Sequence, residues 1–245
     1  MSEQTQNTAG NNGASSPQTD TLVFDVETIP IELDAAAHEA VEQMAERREV
    51  TVQEYCSLSP PLAAVCSISM LRFETSQKAV YYLEEPFDGA TSRSIPDTTV
   101  RGFGDERSLL GEFFNRSRNT NRFVTFNGRG FDFPLLLNRA LAHGISPPSS
   151  FLRAAFEYRY RPDAHIDLME MFTLFGAGSR YPLSAYCIGQ GVDSPKHYGS
   201  GGDVIKWVSA KDLDSLVRYS LADVEATSAL YANWTSTIDY SFNRR

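Results

Sequence analysis

The stretch Thr21-Leu-Val-Phe-Asp-Val-Glu27 decides the fold of this chain, because it is apolar and rich in β-branched residues yet includes two acids. Such a run predicts a buried strand, and Pro30 is expected to close it. Side chains two apart in a strand point to the same face, so Asp25 and Glu27 should lie together near its carboxyl end. Unpaired buried carboxylates are costly. The pair therefore indicates either a cation between the two acids or an exposed turn.

The rest of the chain alternates apolar strands with helical segments. Further strands are predicted at 62–73, 78–83, 122–126 and 164–166, and helices at 34–48, 106–114, 131–143, 183–188 and 212–231. Residues 84–104 are rich in Pro, Gly, Asp, Thr and Ser and are predicted to be a long loop. Consecutive strands followed by strand–helix alternation indicate one α/β domain over residues 20–240, with a mixed five-stranded sheet flanked by helices.

Composition limits the classes of protein to which the chain belongs. Residues 1–19 have no large apolar side chain after Met1 and are predicted to be a disordered tail without signal-peptide features. No apolar run approaches the ~20 residues of a membrane helix, so no membrane partner is expected. The three cysteines form no CxxC pair, which favours a reduced, cytoplasmic setting.

The net charge of −9 argues against a protein that binds nucleic acid by bulk electrostatics. It is compatible with an enzyme that collects carboxylates around metal ions, since the ions restore positive charge where the substrate binds. A small basic run, Arg153, Arg159 and Arg161, fits a solvated surface better than a nucleic-acid track.

Two later segments also place acids in apolar surroundings. Asp132 follows Asn127-Gly-Arg-Gly-Phe131 at the start of a predicted helix, where it could simply complement the helix dipole. Tyr219 and Asp223 are four residues apart on the last predicted helix and so share a face, which is also compatible with a hydrogen bond inside a core. Joined to Asp25 and Glu27, these acids could hold two divalent ions ~3.5–4 Å apart, an arrangement that promotes phosphoryl displacement. Mg²⁺ prefers such oxygen ligands.

In their order and combination, the three segments resemble the Exo I, Exo II and Exo III motifs of the DEDD 3′–5′ exonuclease superfamily. Phe-Asp25-Val-Glu27-Thr is similar to Exo I, and Asn127 with Phe131-Asp132 is similar to Exo II. Tyr219-x-x-x-Asp223 is similar to the tyrosine form of Exo III. The likeness extends to stand-alone exonucleases related to the proofreading domain of family-B DNA polymerases. It implies a ribonuclease-H-like fold and two Mg²⁺ or Mn²⁺ ions.

The resemblance also implies a role for each residue. Asp25, Glu27 and Asp223 would hold the ion that activates water, and Asp25 and Asp132 would hold the second ion. Tyr219 would position the attacking water. The residues expected near the 3′-terminal nucleotide are Thr28, Asn127, Phe131 and, in the Ser194-Pro-Lys196 segment, Lys196.

Three functions fit these features. The first is a DNA 3′–5′ exonuclease that acts on single-stranded or frayed ends. The second is an RNA 3′-exonuclease of the same superfamily, because selection at the 2′-OH depends on pocket shape. The third is a catalytically inactive nucleic-acid-binding module of this fold. The chain ends soon after the third motif, so we expect any proofreading role to need a separate protein partner, whose identity the sequence leaves open.

Overall fold

The computed structural model describes residues 20–84 and 95–238, except the side chains of residues 196 and 197. The predicted disordered tail, 1–19, and residues 239–240 at the end of the predicted domain lie outside the described residues. Within the described part, strands and helices form one mixed α/β arrangement, as the sequence predicts.

The strands and helices are numbered in chain order. The strands are β1 (Thr21–Pro30), β2 (Ala63–Arg72), β3 (Gln77–Leu83), β4 (Thr98–Phe103), β5 (Arg122–Thr125) and β6 (His165–Asp167). The helices are α1 (Ala35–Glu46), α2 (Val52–Ser57), α3 (Glu106–Arg116), α4 (Asp132–His143), α5 (Ser149–Ala155), α6 (Leu168–Phe172), α7 (Leu183–Gln190), α8 (Val204–Ala210) and α9 (Leu213–Thr237). Two short 3₁₀ turns, Pro195–Tyr198 and Gly201–Asp203, precede α8.

The sheet has six strands in the order β4-β3-β2-β1-β5-β6. β2 pairs antiparallel with β1 and β3, whereas β5 runs parallel to both β1 and β6. The prediction of five strands was wrong, because β4 lies inside the segment predicted to be a loop and pairs parallel with β3. The many turn-forming residues in 84–104 led to the prediction of a loop. Within it, Thr98, Thr99 and Val100 favour extended backbone and form a short edge strand.

Two apolar layers cover the sheet, and the alternation along β1 assigns its residues to them. Leu22, Phe24 and Val26 belong to the layer under α3, α4 and α5, whereas Val23 belongs to the layer under α9. Asp25 and Glu27 have the same parity as Val23, so they point to the side of α9. Sequence periodicity thus directs both acids toward the helix that contains Tyr219 and Asp223.

Local signals explain where several helices begin and end. The Asp167 carboxylate accepts a hydrogen bond from the Met169 N–H and caps α6. Gly144 ends α4 in the left-handed region, with φ of 62°. The short helices α2, α5 and α8 were not predicted, because six or seven residues are too few to show a helical period. None of the helices in the described ranges is long and apolar enough to cross a membrane.

Candidate active site

Three of the predicted acids meet beside α9. Asp25 and Glu27 on β1 and Asp223 on α9 each place a carboxylate oxygen within 4.8 Å of the others. A buried hydrogen bond of 3.1 Å, from the Ser220 hydroxyl to the Ser67 hydroxyl, fixes α9 against β2 at this level. The register of β1 against β2 shifts between Glu27 and Thr28, and such bulges commonly occur beside active sites.

Asp132 approaches the other three acids from the β5 side of β1. β5 pairs with β1 only as far as Val23, so the later part of β1 has no strand on that flank. Asp132, the first residue of α4, lies there and is 4% exposed. The Val26 backbone forms a hydrogen bond with the Asp132 carboxylate and also with that of Asp25. The four predicted acids therefore form one cluster across three elements, which we call the acidic cluster (Asp25, Glu27, Asp132 and Asp223).

The loop that leads to Asp132 is held by an acid from the neighbouring strand. The Asp167 carboxylate at the end of β6 accepts hydrogen bonds of 2.9 Å from the backbone N–H groups of Asn127 and Arg129. Asn127 lies in the left-handed region, with φ of 67°. A Cβ at Gly128 would overlap the Thr125 side chain, so this position requires glycine. These constraints fix the direction in which α4 starts, and hence the place of Asp132.

Burial and mutual repulsion dominate the electrostatics of the cluster. Burial, followed by the charges of Asp132, Glu27 and Asp223, raises the pKa of Asp25 well above its ordinary value. Burial and the charges of Asp223 and Asp132 do the same to the pKa of Glu27. The pKa of Asp132 rises to about 7 through burial and the Asp167 charge, and burial raises the pKa of Asp223 to about 7. Such a cluster is stabilised by cations.

Two carboxylate oxygens also lack any hydrogen-bond partner among the described residues. They are Glu27 Oε1 and Asp132 Oδ1, and both are inaccessible to solvent. Buried polar atoms in native proteins nearly always have a partner, so an unpartnered oxygen requires an explanation. Hard oxygen donors that face one another across a few ångströms fit a divalent cation. The donor set therefore suits Mg²⁺ or Mn²⁺.

Tyr219 lies at the edge of this cluster. Its hydroxyl is hydrogen-bonded to Asp223, one turn further along α9. The Trp207 ring of α8 packs against the Tyr219 ring, with centroids 5.5 Å apart. Burial, followed by the charges of Asp223, Glu27 and Asp25, raises the pKa of the phenol far above its ordinary value. The phenol therefore keeps its proton at neutral pH.

The residues predicted to contact nucleic acid are more dispersed. Thr28 follows Glu27 and donates its hydroxyl hydrogen to the Ser57 carbonyl at 2.8 Å. Phe131 is half-buried against the apolar layer under α4. Asn127 lines a small cavity beside the loop. Lys196 belongs to the 3₁₀ turn that packs on α9, and its side chain lies outside the described residues.

Sequence analysis missed several polar residues beside the cluster. Asp167 caps α6 and also fixes the loop before Asp132. Arg129, Arg159 and Arg180 converge on the cavity that Asn127 lines. The three arginines come from separate segments, and the alternation of tyrosines with arginines in 158–161 is a sequence signal for Arg159 alone.

Comparison with known proteins agrees with this geometry. Residues 53–239 match the family of predicted 3′–5′ exonucleases related to the exonuclease domain of PolB. The match includes Asp132, Tyr219 and Asp223 and begins after Asp25 and Glu27.

Several DNA polymerases are similar over part of their length. DNA polymerase 1 of Sulfurisphaera ohwakuensis is 28% identical over 171 residues, which are 68% of this chain and 19% of the polymerase. DNA polymerase 1 of Sulfolobus acidocaldarius is 30% identical over 141 residues, which are 54% of this chain and 15% of the polymerase. The catalytic subunit of DNA polymerase epsilon from Dictyostelium discoideum is 27% identical over 69% of this chain and 7% of its own length. The chain thus spans less than a fifth of these relatives.

The fold is also that of a polymerase segment. The structure of the family B DNA polymerase from Pyrobaculum calidifontis matches with a TM-score of 0.57 and 18% identity, over 89% of this chain and 25% of that one. This likeness confirms the ribonuclease-H-like fold. Since the family match covers more than half of the sequence, the chain belongs to the family of 3′–5′ exonucleases related to the exonuclease domain of PolB.

Proposed function

We propose that this exonuclease removes nucleotides from the 3′ end of single-stranded or frayed DNA, with two Mg²⁺ or Mn²⁺ ions held by the acidic cluster. The observation that supports this most strongly is the approach of Asp25, Glu27 and Asp223 to within 4.8 Å, with Asp132 buried beside them. Four carboxylates at one point would repel one another without bound cations.

The ligand sets are those that the resemblance implies, and the position of each acid supports them. Asp25, Glu27 and Asp223 would hold one ion, and Asp25 and Asp132 would hold the second, which accounts for the unpartnered Oε1 of Glu27 and Oδ1 of Asp132. Bound there, divalent ions activate water and stabilise the attacking and departing oxygens of a phosphodiester. Asp25 would serve both ions, because it belongs to both ligand sets and lies close enough to the other three acids for their charges to raise its pKa after burial.

Tyr219 orients the attacking water and does not deprotonate it. An ordinary phenol has a pKa of about 10 and keeps its proton at neutral pH, and the single proton of Tyr219 is engaged with Asp223. The phenol oxygen retains lone pairs and accepts a hydrogen bond from the water, which leaves a water lone pair free to attack phosphorus. Asp223 thus fixes the direction of the Tyr219 hydroxyl.

The terminal nucleotide would lie near Thr28, Asn127 and Phe131, the residues that the resemblance implies. The exposed edge of the Phe131 ring is available to the terminal base, and the Thr28 hydroxyl oxygen can still accept a hydrogen bond. Lys196 would supply a positive charge to the phosphates from the turn on α9. DNA is the favoured substrate because the similar polymerases are DNA polymerases.

The test compares matched DNA and RNA strands that are labelled at the 3′-terminal nucleotide. We expect faster release of labelled nucleotide from DNA in Mg²⁺ or Mn²⁺, and none in EDTA or from Asp223→Asn. Faster release from RNA would overturn the substrate assignment. Binding without release in either metal would indicate an inactive nucleic-acid-binding module.

A further inference from the structure

A small cavity lies next to the loop that positions Asp132. Its volume is about 180 Å³, and its polar lining includes Asn127, Arg129, Arg159, Asp167, Glu170 and Arg180. Asn127 and Asp167 also belong to the loop contacts that hold Asp132 in the acidic cluster. The cavity therefore borders the loop that leads to Asp132 in the candidate active site. We call it the arginine pocket.

Positive charge exceeds negative charge in this pocket. Arg129 Nε lies 3.0 Å from Glu170 Oε2, and Arg159 Nη2 lies 2.6 Å from Glu170 Oε1, so two guanidinium groups share one carboxylate. The Asp167 carboxylate already accepts three backbone N–H groups, and burial raises its pKa. Arg180 is exposed at the rim and adds a third guanidinium. Guanidinium groups are well suited to phosphate.

The arginines also have hydrogen-bonding capacity that the protein does not use. Arg129 Nη2 and Arg159 Nε are buried and have no partner among the described residues. A network built only to join two loops would be expected to satisfy its donors. A role limited to joining loops also leaves Arg180 at the rim unexplained.

Exposed aromatic rings stand beside the pocket. Tyr158 is 66% exposed and Tyr160 is 48% exposed, with ring centroids 5.5 Å apart, and they flank Arg159 in sequence. The Arg159 guanidinium lies over the Tyr160 ring at 5.4 Å. A basic groove with aromatic rings alongside it is typical of proteins that bind single-stranded nucleic acid, since bases stack on the rings.

We propose that the arginine pocket and Tyr158 bind the single strand that adjoins the 3′-terminal nucleotide. The pocket takes a backbone phosphate through Arg129, Arg159 and Arg180, and Tyr158, with Tyr160 behind it, stacks on a neighbouring base. The proposal rests on the proposed function only for the identity of the ligand. It differs from the interpretation of the basic run 153–161 as a solvated surface.

Three variants and a control test the strand-binding site. Arg180→Gln removes a rim charge, Tyr158→Ala removes a ring and Tyr158→Phe retains it. Arg118→Gln is the matched control, since Arg118 is another exposed arginine, lies after α3 and lines no part of the pocket. Binding of a fluorescent twelve-nucleotide DNA strand is measured by anisotropy in EDTA, so that cleavage plays no part, and the unfolding temperature of each variant is recorded.

We expect Arg180→Gln to weaken binding about fivefold at 0.1 M salt, and to reduce the slope of log K against log salt by about 0.7, as for one lost phosphate contact. Tyr158→Ala should weaken binding about fivefold or more, whereas Tyr158→Phe and Arg118→Gln should bind like the parent. Parent-like affinity of Arg180→Gln or Tyr158→Ala would overturn the proposal, as would an equal loss in Arg118→Gln.

Because binding is measured without cleavage, the strand-binding site and the proposed function can be tested separately. If the parent binds the strand and the variants lose affinity, yet no metal supports cleavage, the proposed function fails and the strand-binding site stands. If the parent cleaves DNA and Arg180→Gln binds like the parent, the strand-binding site fails and the proposed function stands.

Discussion

At the residue scale, Tyr219 shows how the environment of a side chain determines what it can do. An unperturbed phenol has a pKa of about 10, and burial among carboxylates raises the pKa of Tyr219 further. A group that keeps its proton at neutral pH is poorly suited to act as a general base. Its hydrogen bond with Asp223 instead gives the hydroxyl a fixed direction, which is what an orienting group needs.

This assignment predicts a moderate effect for the loss of the hydroxyl. Tyr219→Phe should fold normally, bind Mn²⁺ like the parent and slow single-turnover cleavage by ~10–100-fold, at the low end for general acid–base groups. Asp223→Asn should slow it far more, because it removes a charged ligand. Both variants are measured side by side at saturating Mg²⁺. If Tyr219→Phe cleaves at the parent rate, the tyrosine is a core residue with no part in the reaction.

The repulsion within the acidic cluster predicts a pH-dependent stability. Burial raises the pKa of Asp223 from about 3.9 to about 7, so its charge destabilises the metal-free fold as pH rises through that window. In EDTA at pH 8, Asp223→Asn should therefore unfold at a higher temperature than the parent, by about 2–4 °C for each kcal/mol gained. At pH 5 the difference should shrink. A variant that unfolds at a lower temperature than the parent at pH 8 would contradict the repulsion.

At the element scale, the unequal lengths of β1 and β5 create the site. β1 extends to Pro30, but its pairing with β5 ends at Val23, and this difference leaves space for the start of α4. Asp132 occupies that space from one side, while α9 brings Asp223 to the other face of β1. Two strands of equal length would leave no room for Asp132 beside β1.

Sequence periodicity, together with the likeness to the three exonuclease motifs, predicted the acidic cluster but not its surroundings. The two-residue period puts Asp25 and Glu27 on one face of β1, and the four-residue spacing puts Tyr219 and Asp223 on one face of α9. The structure shows that Asp25, Glu27 and Asp223 meet. The arginine pocket could not be predicted in this way. Arg129, Arg159 and Arg180 lie on three separate segments, and only the parallel pairing of β5 with β6 brings those segments together. The chemical roles of all these residues stay predictions.

Among the helices that support the site, a buried ion pair should contribute more to the free energy of unfolding than an exposed one. Glu106 on α3 is buried and accepts hydrogen bonds from the Val65 N–H at 2.7 Å and from Arg139 Nε at 2.9 Å, which joins α3 to β2 and α4. Glu106→Ala leaves the Arg139 guanidinium half-buried without its partner. It should lower the free energy of unfolding by about 3–5 kcal/mol.

The matched control is Glu112 on the same helix, which forms a more exposed pair with Arg116 at 3.0 Å. Glu112→Ala should cost less than about 1 kcal/mol. Urea unfolding of the two variants measures both values. Similar losses for Glu106→Ala and Glu112→Ala would show that the buried network does not hold α3 in place.

At the scale of the whole molecule, the described contacts begin at Asp20. The Asp20 carboxylate forms an ion pair with Arg72 at 2.6 Å, and its carbonyl accepts the N–H groups of Asn121 and Arg122. The preceding segment, 1–19, has no large apolar residue after Met1. A shortened chain that starts at Asp20 should therefore unfold at the parent temperature and keep the parent cleavage rate. A clear drop in either quantity would contradict the prediction that 1–19 is a disordered tail.

The distribution of charge over the molecule is compatible with a net charge of −9 in a protein that acts on nucleic acid. The acidic cluster concentrates four carboxylates where metal ions would bind, while the arginine pocket beside it offers local positive charge. An acidic protein can thus bind a polyanion through a small surface. Such binding should be weaker than that of a basic protein, because fewer phosphates are neutralised.

The central claim is that this chain shortens a DNA strand from its 3′ end with the help of divalent ions. The most direct measurement follows a 5′-labelled single strand and a circular single strand of the same sequence, each with Mg²⁺, Mn²⁺ or EDTA. We expect a descending ladder from the linear strand in either metal, no products in EDTA and an intact circle in all conditions. Cleavage of the circle, or a ladder that persists in EDTA, would contradict the account.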